Sequence, residues 1–123
     1  MLGPEKVIAF LATADAGRAR TFYEEVLGLR FVADEEFALV FDADGTMLRI
    51  QKVREFRPVP HTALGWKVSD IRSTIAALRE RGVSFERYVF LQQDDAGIWA
   101  TPDGALVAWF KDPDGNLLSL TEF

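Results

Sequence analysis

Hydrophobic positions in the first half of the chain form short runs of strand length and one segment with helical spacing. Residues 16–27 carry apolar side chains at the spacing of a helix. Asp15 stands where an N-cap is expected, and Gly28 stands where a helix commonly ends. The first half therefore predicts the order β-α-β-β-β, with strands at residues 6–13, 29–33, 37–41 and 46–52.

The second half of the chain repeats this pattern. A strand is predicted at residues 62–69, followed by a helix that Asp70 caps and that ends at Gly82. Residues 83–90 are predicted to contain another strand, and residues 91–97 are predicted to form a loop. The last predicted elements are a short strand or turn at 98–101 and a hairpin with strands at 107–111 and 116–121.

Two hairpin turns support a duplication. The sequence Asp-Ala-Asp-Gly ends at Gly45, and Asp-Pro-Asp-Gly ends at Gly115. Both are turn sequences in which glycine accepts a positive φ. Superimposing the two glycines places Arg49 on Ser119. We therefore predict a single domain over residues 1–123, with module 1 at about 5–53, a linker at about 54–61 and module 2 at about 62–123.

The duplication predicts an α+β fold. Each βαβββ module is expected to form a curved sheet with one helix on its convex face. Two such modules pair into a cup-shaped, barrel-like mixed sheet with helices outside, and the inner wall of the cup is a natural small-molecule pocket. Pairing within one chain and pairing across a dimer are both compatible with the sequence.

Composition and charge narrow the function classes. The chain has 123 residues, 49% of them hydrophobic, which suits one folded domain. There is no cysteine, so disulfides and thiolate chemistry are excluded. The net charge of −5 and the lack of a basic stripe argue against nucleic-acid binding. No signal peptide and no run of about 18 apolar residues is found, so we expect a cytoplasmic protein without a membrane partner.

Two motifs resemble a known family. Residues 22–29, Phe-Tyr-Glu-Glu-Val-Leu-Gly-Leu, and residues 109–116, Trp-Phe-Lys-Asp-Pro-Asp-Gly-Asn, resemble the vicinal oxygen chelate superfamily. This is the group of glyoxalases, bleomycin-resistance proteins and extradiol dioxygenases. The resemblance covers nearly the whole chain and implies the fold described above. It specifies no activity, because the family includes lyases, isomerases, dioxygenases and non-catalytic drug-binding proteins.

The resemblance also implies where a metal ion would be held. Enzymes of the family generally bind one divalent metal with His and Glu side chains on the first and last strands of each module. The matching positions here are Ile8, Arg49, Ala63 and Ser119. Isoleucine and alanine have no donor atom, and a guanidinium repels a cation. We therefore expect no metal and no cofactor at these positions.

Three polar residues are candidates for chemistry. Arg49 is predicted to face inward, where it needs an anion: either a ligand carboxylate or phosphate, or a neighbouring Asp or Glu. His61, the only histidine, lies in the Pro-rich linker and is expected to be exposed, with a general base or a lone metal ligand as the alternative. Glu86 is expected to be a solvated strand carboxylate, with proton transfer as the alternative.

Other residues are expected to form the wall of the pocket. Phe10 and Gln51 are predicted to face inward, and Ser119 is predicted to offer a hydrogen bond. Trp99 and Trp109 are candidates for stacking on a flat ligand, although the sequence leaves open which face of the sheet they occupy.

Three functions are compatible with these residues. The first is a binding protein of the bleomycin-resistance type, a homodimer that takes a small, anionic or aromatic molecule without a metal. The second is a metal-independent enzyme of the lyase, isomerase or dioxygenase type, using Arg49 with His61 or Glu86. The third is a metalloenzyme with a displaced ligand set. The first is favoured, because the expected catalytic groups are missing.

Overall fold

The computed structural model describes all residues from 1 to 123. Contacts between Cα atoms divide the chain into two compact units, Met1–Arg57 and Pro58–Phe123. Neither α-helix is long and apolar enough to cross a membrane.

The first unit contains a four-stranded sheet in the order β1-β4-β3-β2. Strand β1 is parallel to β4, and the other neighbours are antiparallel. The predicted β-α-β-β-β order is confirmed. The strands are β1 (Ile8–Thr13), β2 (Arg30–Asp34), β3 (Ala38–Ala43) and β4 (Thr46–Lys52), and α1 (Ala16–Thr21) connects β1 to β2.

The predicted helix at residues 16–27 has two parts. The side chain of Asp15 accepts a hydrogen bond from the Arg18 N–H at 3.1 Å, as expected of an N-cap. After α1 the chain continues as a π-helix, Phe22–Val26, and the Leu27 N–H donates to the carbonyl of Phe22 at 2.9 Å. The wider turn accompanies the burial of Tyr23, which is 0% exposed and packs against Phe41.

The second unit has the same topology. Its strands follow the order β5-β8-β7-β6, with β5 parallel to β8 and the others antiparallel. Within the sheets, Arg49 pairs with Phe10 and Ser119 pairs with Gly65, so the predicted match between Arg49 and Ser119 is confirmed. The elements are β5 (Leu64–Lys67), α2 (Ile71–Glu80), β6 (Trp99–Ala100), β7 (Leu106–Lys111) and β8 (Leu117–Glu122).

The strand predicted within residues 83–90 is wrong. This segment makes one isolated bridge, Phe85 with Phe110, and the edge strand beside β7 is instead β6. The side-chain amide of Gln93 explains the difference: it bonds the Tyr88 N–H at 2.8 Å and the carbonyl of Glu86 at 3.0 Å. The Glu86 N–H still donates to the carbonyl of Trp109 on β7 at 2.8 Å. The next backbone groups are satisfied by the side chain of Gln93, and the segment leaves the sheet there.

Each sheet has a buried face and an open face. In the first unit Leu11, Leu48 and Ile50 are at most 5% exposed, whereas their neighbours Ile8 and Phe10 are about half exposed. Because side chains alternate along a strand, the open face of the first sheet carries the odd-numbered residues of β4. We call this surface the first open face; it comprises Ile8, Phe10, Met47, Arg49 and Gln51.

Candidate functional site

The four positions that hold a metal in the family carry side chains that do not fit a divalent cation. Ile8 pairs with Met47, and the Ala63 N–H donates to the carbonyl of Leu117. Neither the isoleucine nor the alanine side chain has an atom that can bind a metal. Ser119 is buried. No group of three or more His, Cys, Asp or Glu side chains that could hold a metal ion is present in the structure. The side chains at the family's ligand positions therefore lack the donor set that a divalent metal requires.

Arg49 lies on the first open face and has an acidic partner. Its Nη2 is 2.7 Å from a carboxylate oxygen of Glu35, and its Nη1 is 4.0 Å from the Met47 sulfur. The side chain of Arg49 is 27% exposed and that of Glu35 is 49% exposed. Glu35 follows β2, where its N–H donates to the carbonyl of Ala38 at 2.9 Å. Of the two anions expected for Arg49, the structure supplies the neighbouring glutamate.

Phe10 and Gln51 lie where the alternation of β1 and β4 predicts. Phe10 is 52% exposed and pairs directly with Arg49, and Gln51 is exposed two residues further along β4. The first open face therefore combines an exposed aromatic ring, one guanidinium and one amide. This combination is suited to a ligand with an apolar body and an anionic or polar end.

Trp99 and Trp109 lie on the open face of the second sheet, which we call the second open face. Trp109 pairs with Ser119, and Trp99 pairs with Val107, which shares the face of Trp109. The two indoles are stacked, with centroids 6.1 Å apart and an interplanar angle of 28°. The sequence did not determine which face carries the two tryptophans, and the structure places both on the face of Ser119. Trp66 lies on the opposite face, where it stacks on Phe110.

Further rings extend this pair of tryptophans. Tyr88 meets Trp109 edge to face at 5.6 Å, and Phe90 contacts Tyr88 at 5.4 Å. Phe90 is 78% exposed, whereas Trp99, Trp109 and Tyr88 are half-buried. We call these residues, Trp99, Trp109, Tyr88 and Phe90, the aromatic row.

One hydrogen bond to the aromatic row was not anticipated from the sequence. The indole N–H of Trp109 donates to the hydroxyl of Thr62 at 3.1 Å. Thr62 precedes β5, and nothing in the local sequence indicates a partner 47 residues away. Only the strand order, which places β5 and β7 on the two sides of β8, brings these residues together.

Glu86 is paired with a lysine rather than solvated alone. Its carboxylate lies 3.4 Å from the ammonium of Lys111. Burial and the negative charge of Glu86 raise the pKa of Tyr88 above its usual value of 10.0, and Lys111 opposes this by lowering it. The Tyr88 hydroxyl is therefore protonated at neutral pH and available as a hydrogen-bond donor.

His61 is exposed at the start of the second unit. Its Nδ1 lies 3.2 Å from the carbonyl oxygen of Thr62, the next residue. A general base needs a proton to abstract and a group that orients its ring. The contact to a backbone carbonyl fixes one ring nitrogen as the donor, and it provides no carboxylate partner.

A cleft of about 590 Å³ continues from the second open face. Two of its lining residues, Val107 and Thr121, are a cross-strand pair on that face, next to Trp99. The cleft is lined by Thr101, Asp103, Gly104, Ala105, Val107, Thr121 and Phe123. Its volume falls within the range of small-molecule sites.

Comparison with known proteins gives the class to which this chain belongs. A sequence model of the Glyoxalase/Bleomycin resistance protein/Dioxygenase superfamily matches residues 7–120. The chain therefore belongs to this superfamily. A search of curated proteins found no match.

Several solved structures resemble the chain over its full length. A glyoxalase family protein from Enterococcus faecalis is 25% identical, with a TM-score of 0.77 and coverage of 99% of this chain and 100% of that one. A superfamily member from Sphaerobacter thermophilus is 23% identical, with a TM-score of 0.77 and full coverage of both chains. A lactoylglutathione lyase from Agrobacterium tumefaciens is 18% identical, with a TM-score of 0.74 and coverage of 98% and 95%. The last two likenesses establish the fold alone.

Proposed function

We propose that this protein binds a small aromatic or anionic molecule and does so without the metal that enzymes of the family use. The observation that carries the proposal is the guanidinium of Arg49, 27% exposed on the first open face at a position where the family places a metal ligand. A guanidinium at this point repels a cation and attracts an anion. The proposed ligand therefore places an anionic group against the guanidinium of Arg49, and no metal ion takes part in binding there.

The geometry of Arg49 supports an anionic ligand. A guanidinium has five N–H donors, and the Glu35 carboxylate engages one terminal nitrogen. The glutamate is half exposed, so a ligand carboxylate can displace it or share the guanidinium with it. Glu35 then acts as an internal competitor, and its removal should strengthen the binding of anions.

The aromatic row in the second unit supports an aromatic ligand. Trp99 and Trp109 present two nearly parallel indoles, and Tyr88 adds a hydroxyl that is protonated at neutral pH. Tryptophan and tyrosine rings favour stacking and edge-to-face contacts with flat molecules. The adjoining cleft of about 590 Å³ offers room for a compact ligand.

The alternative function, an enzyme of the same superfamily, has less support from the geometry. Its two candidate proton-transfer residues are engaged elsewhere: Glu86 in an ion pair with Lys111, and His61 with a neighbouring carbonyl. A lyase, isomerase or dioxygenase activity in the purified protein would favour this alternative. Dependence of that activity on Glu86 or His61 would identify the proton-transfer group.

Titration calorimetry with benzoate and 2-naphthoate tests the proposal. We expect Arg49→Ala to weaken carboxylate binding about tenfold or more, because a charge-assisted hydrogen bond is lost. Glu35→Gln should strengthen binding. Arg72→Ala is the matched control, since Arg72 also forms an ion pair, at 2.9 Å with Asp94, but lies on α2. Equal affinities of the Arg49→Ala variant and the wild type would refute the anion site.

Metal content and assembly complete the test. Protein purified without a chelator should contain no stoichiometric zinc, nickel, manganese or iron, and bound metal would instead favour a displaced metal site. We also propose a homodimer located in the cytoplasm. Light scattering coupled to size exclusion should give twice the 13.8 kDa chain mass, and a monomer would refute the assembly.

A further inference from the structure

We propose that Thr62 is a positioning residue for ligand binding: it holds the indole of Trp109 flat across β8, so that the second open face selects planar rings. This inference rests on the proposed function and specifies the ligand class of the aromatic row. The strand order, one hydrogen bond and the burial of the residues beneath the indole support it.

Strand order requires the indole to extend across β8. Trp109 lies on β7, and its N–H bonds the Thr62 hydroxyl at 3.1 Å. Thr62 is held beside β8 on the opposite side, because the N–H of the next residue, Ala63, donates to the carbonyl of Leu117 at 2.8 Å. In the sheet, β8 separates β5 from β7. A side chain that starts on β7 and reaches Thr62 must therefore lie over β8.

Burial on β8 agrees with this placement. Leu117 and Ser119 point to the open face, yet each is only 8% exposed. Gly65, the partner of Ser119 on β5, has no side chain and is exposed. An indole can lie low over this row because the neighbouring residues are small. The floor of the second open face is therefore the outer surface of the Trp109 ring.

Trp109 also sets the orientation of the other rings. It contacts Trp99 in a stacked arrangement and Tyr88 in an edge-to-face arrangement at 85°. Rotation of the indole about its Cβ–Cγ bond would break both contacts. The bond from Thr62 is the polar contact that opposes this rotation, because the indole has only one N–H donor.

A flat floor with a fixed orientation favours planar ligands. A planar ring stacks on an indole over its whole area, whereas a puckered ring of the same size touches it at a few atoms. Lys67 lies on the same face as Gly65, two residues further along β5, and it supplies a cation for an acidic substituent. The ligand class is therefore a planar aromatic acid.

The experiment uses a pair of variants and two readouts. Thr62→Val removes the hydroxyl with little change of shape, and Thr62→Ser keeps it. The first readout is the exciton couplet of the stacked Trp99 and Trp109 in circular dichroism, which Trp99→Phe abolishes as a reference. The second is the ratio of the affinities for 2-naphthoate and cyclohexanecarboxylate, a planar and a puckered acid.

We expect Thr62→Val to reduce the couplet and to lower the planar preference about fivefold, the effect of one neutral hydrogen bond. Thr62→Ser should retain both, and the unfolding midpoint should change little in either variant. If Thr62→Val leaves the couplet and the affinity ratio unchanged, the positioning role is wrong while the proposed binding function stands. If the wild type shows no preference for 2-naphthoate, the ligand class is wrong. If it binds neither acid, the proposed function fails as well, and the couplet alone decides the role of Thr62.

Discussion

Gly65 is the position at which a single methyl group should have the largest effect on the second sheet. A Cβ built at Gly65 would lie 2.6 Å from the Ser119 hydroxyl oxygen and 3.5 Å from the Ser119 carbonyl. Ordinary contact begins at 3.4 Å, so the first distance is too short and the hydroxyl must move. Ser119 is 8% exposed, so the packed atoms around it leave little space into which its hydroxyl can rotate.

Two opposing terms give the magnitude for Gly65→Ala. Overpacking in a well-packed region costs about 1–3 kcal/mol. Loss of glycine's freedom in the unfolded chain returns about 0.4–1 kcal/mol. We therefore expect a net loss of about 1–2 kcal/mol in the free energy of unfolding, which lowers the melting temperature of a domain of this size by roughly 3–10 °C.

A double-mutant cycle separates the clash from other effects. Ser119→Ala removes the hydroxyl and leaves contacts of 3.5 and 3.9 Å, so the variant Gly65→Ala/Ser119→Ala should recover most of the loss. Urea denaturation followed by circular dichroism measures the four free energies. Gly17→Ala is the control, because a Cβ there meets only an Asp15 oxygen at 3.7 Å, and it should stabilise the protein. A coupling energy below about 0.5 kcal/mol would refute the proposed contact.

Asp112 in the turn before β8, Asp94 in the loop before β6, and Tyr88 in the aromatic row can each be tested by one substitution. Asp112→Ala should cost about 2–4 kcal/mol in urea denaturation, because this carboxylate is 5% exposed and accepts hydrogen bonds from two backbone N–H groups and one side-chain amide. Burial alone would raise the pKa of Asp94, but hydrogen bonds from two backbone N–H groups and from Arg72, with the charge of Arg72, lower it below 3.8. A carboxyl whose pKa is lower in the folded state stabilises the protein above its unfolded pKa, and this stabilisation is lost as the pH falls through the folded pKa. The difference in free energy of unfolding between the wild type and Asp94→Asn should therefore be constant above about pH 5 and vanish on further acidification. Urea denaturation at a series of acidic pH values would measure it. Glu86→Gln should lower the pKa of Tyr88 towards 10.0 in an ultraviolet titration, and an unchanged value would show that burial alone raises it.

The alternation of side chains predicted much of the fold and the first open face, whereas it left the face of Trp99 and Trp109 undetermined. The equivalence of Arg49 and Ser119 followed from two turn glycines, and the register of β4 and β8 confirms it. The inference succeeds because each return strand keeps a strict alternation of side chains when residues are counted from its turn glycine. The faces of Phe10 and Gln51 follow from the same rule.

The failures have a different physical origin. The strand expected within residues 83–90 is replaced by side-chain hydrogen bonds from Gln93, which lies seven residues beyond Glu86. The partner of Arg49, Glu35, belongs to the connection after β2, where hydrophobic periodicity carries no information. Both contacts depend on how a loop returns to the sheet, and local sequence does not determine that path.

The two sheets carry the large ring of their open faces on different strands. In the first unit, the row across β1, β4 and β3 consists of Phe10, Arg49 and Val40. In the second, the equivalent row consists of Gly65, Ser119 and Trp109. The large ring thus comes from the first strand in one unit and from the third strand in the other.

This exchange has a consequence for how the duplicated units can diverge. An indole from β7 can cross β8 only if the residues beside it on β8 and β5 remain small, as Ser119 and Gly65 are. A guanidinium at the Ser119 position would occupy the space of the indole and break its bond to Thr62. The arginine on the first open face and the tryptophan on the second therefore occupy equivalent space above the same backbone arrangement. Which strand supplies the large side chain therefore decides whether the row carries a guanidinium or an indole beside it.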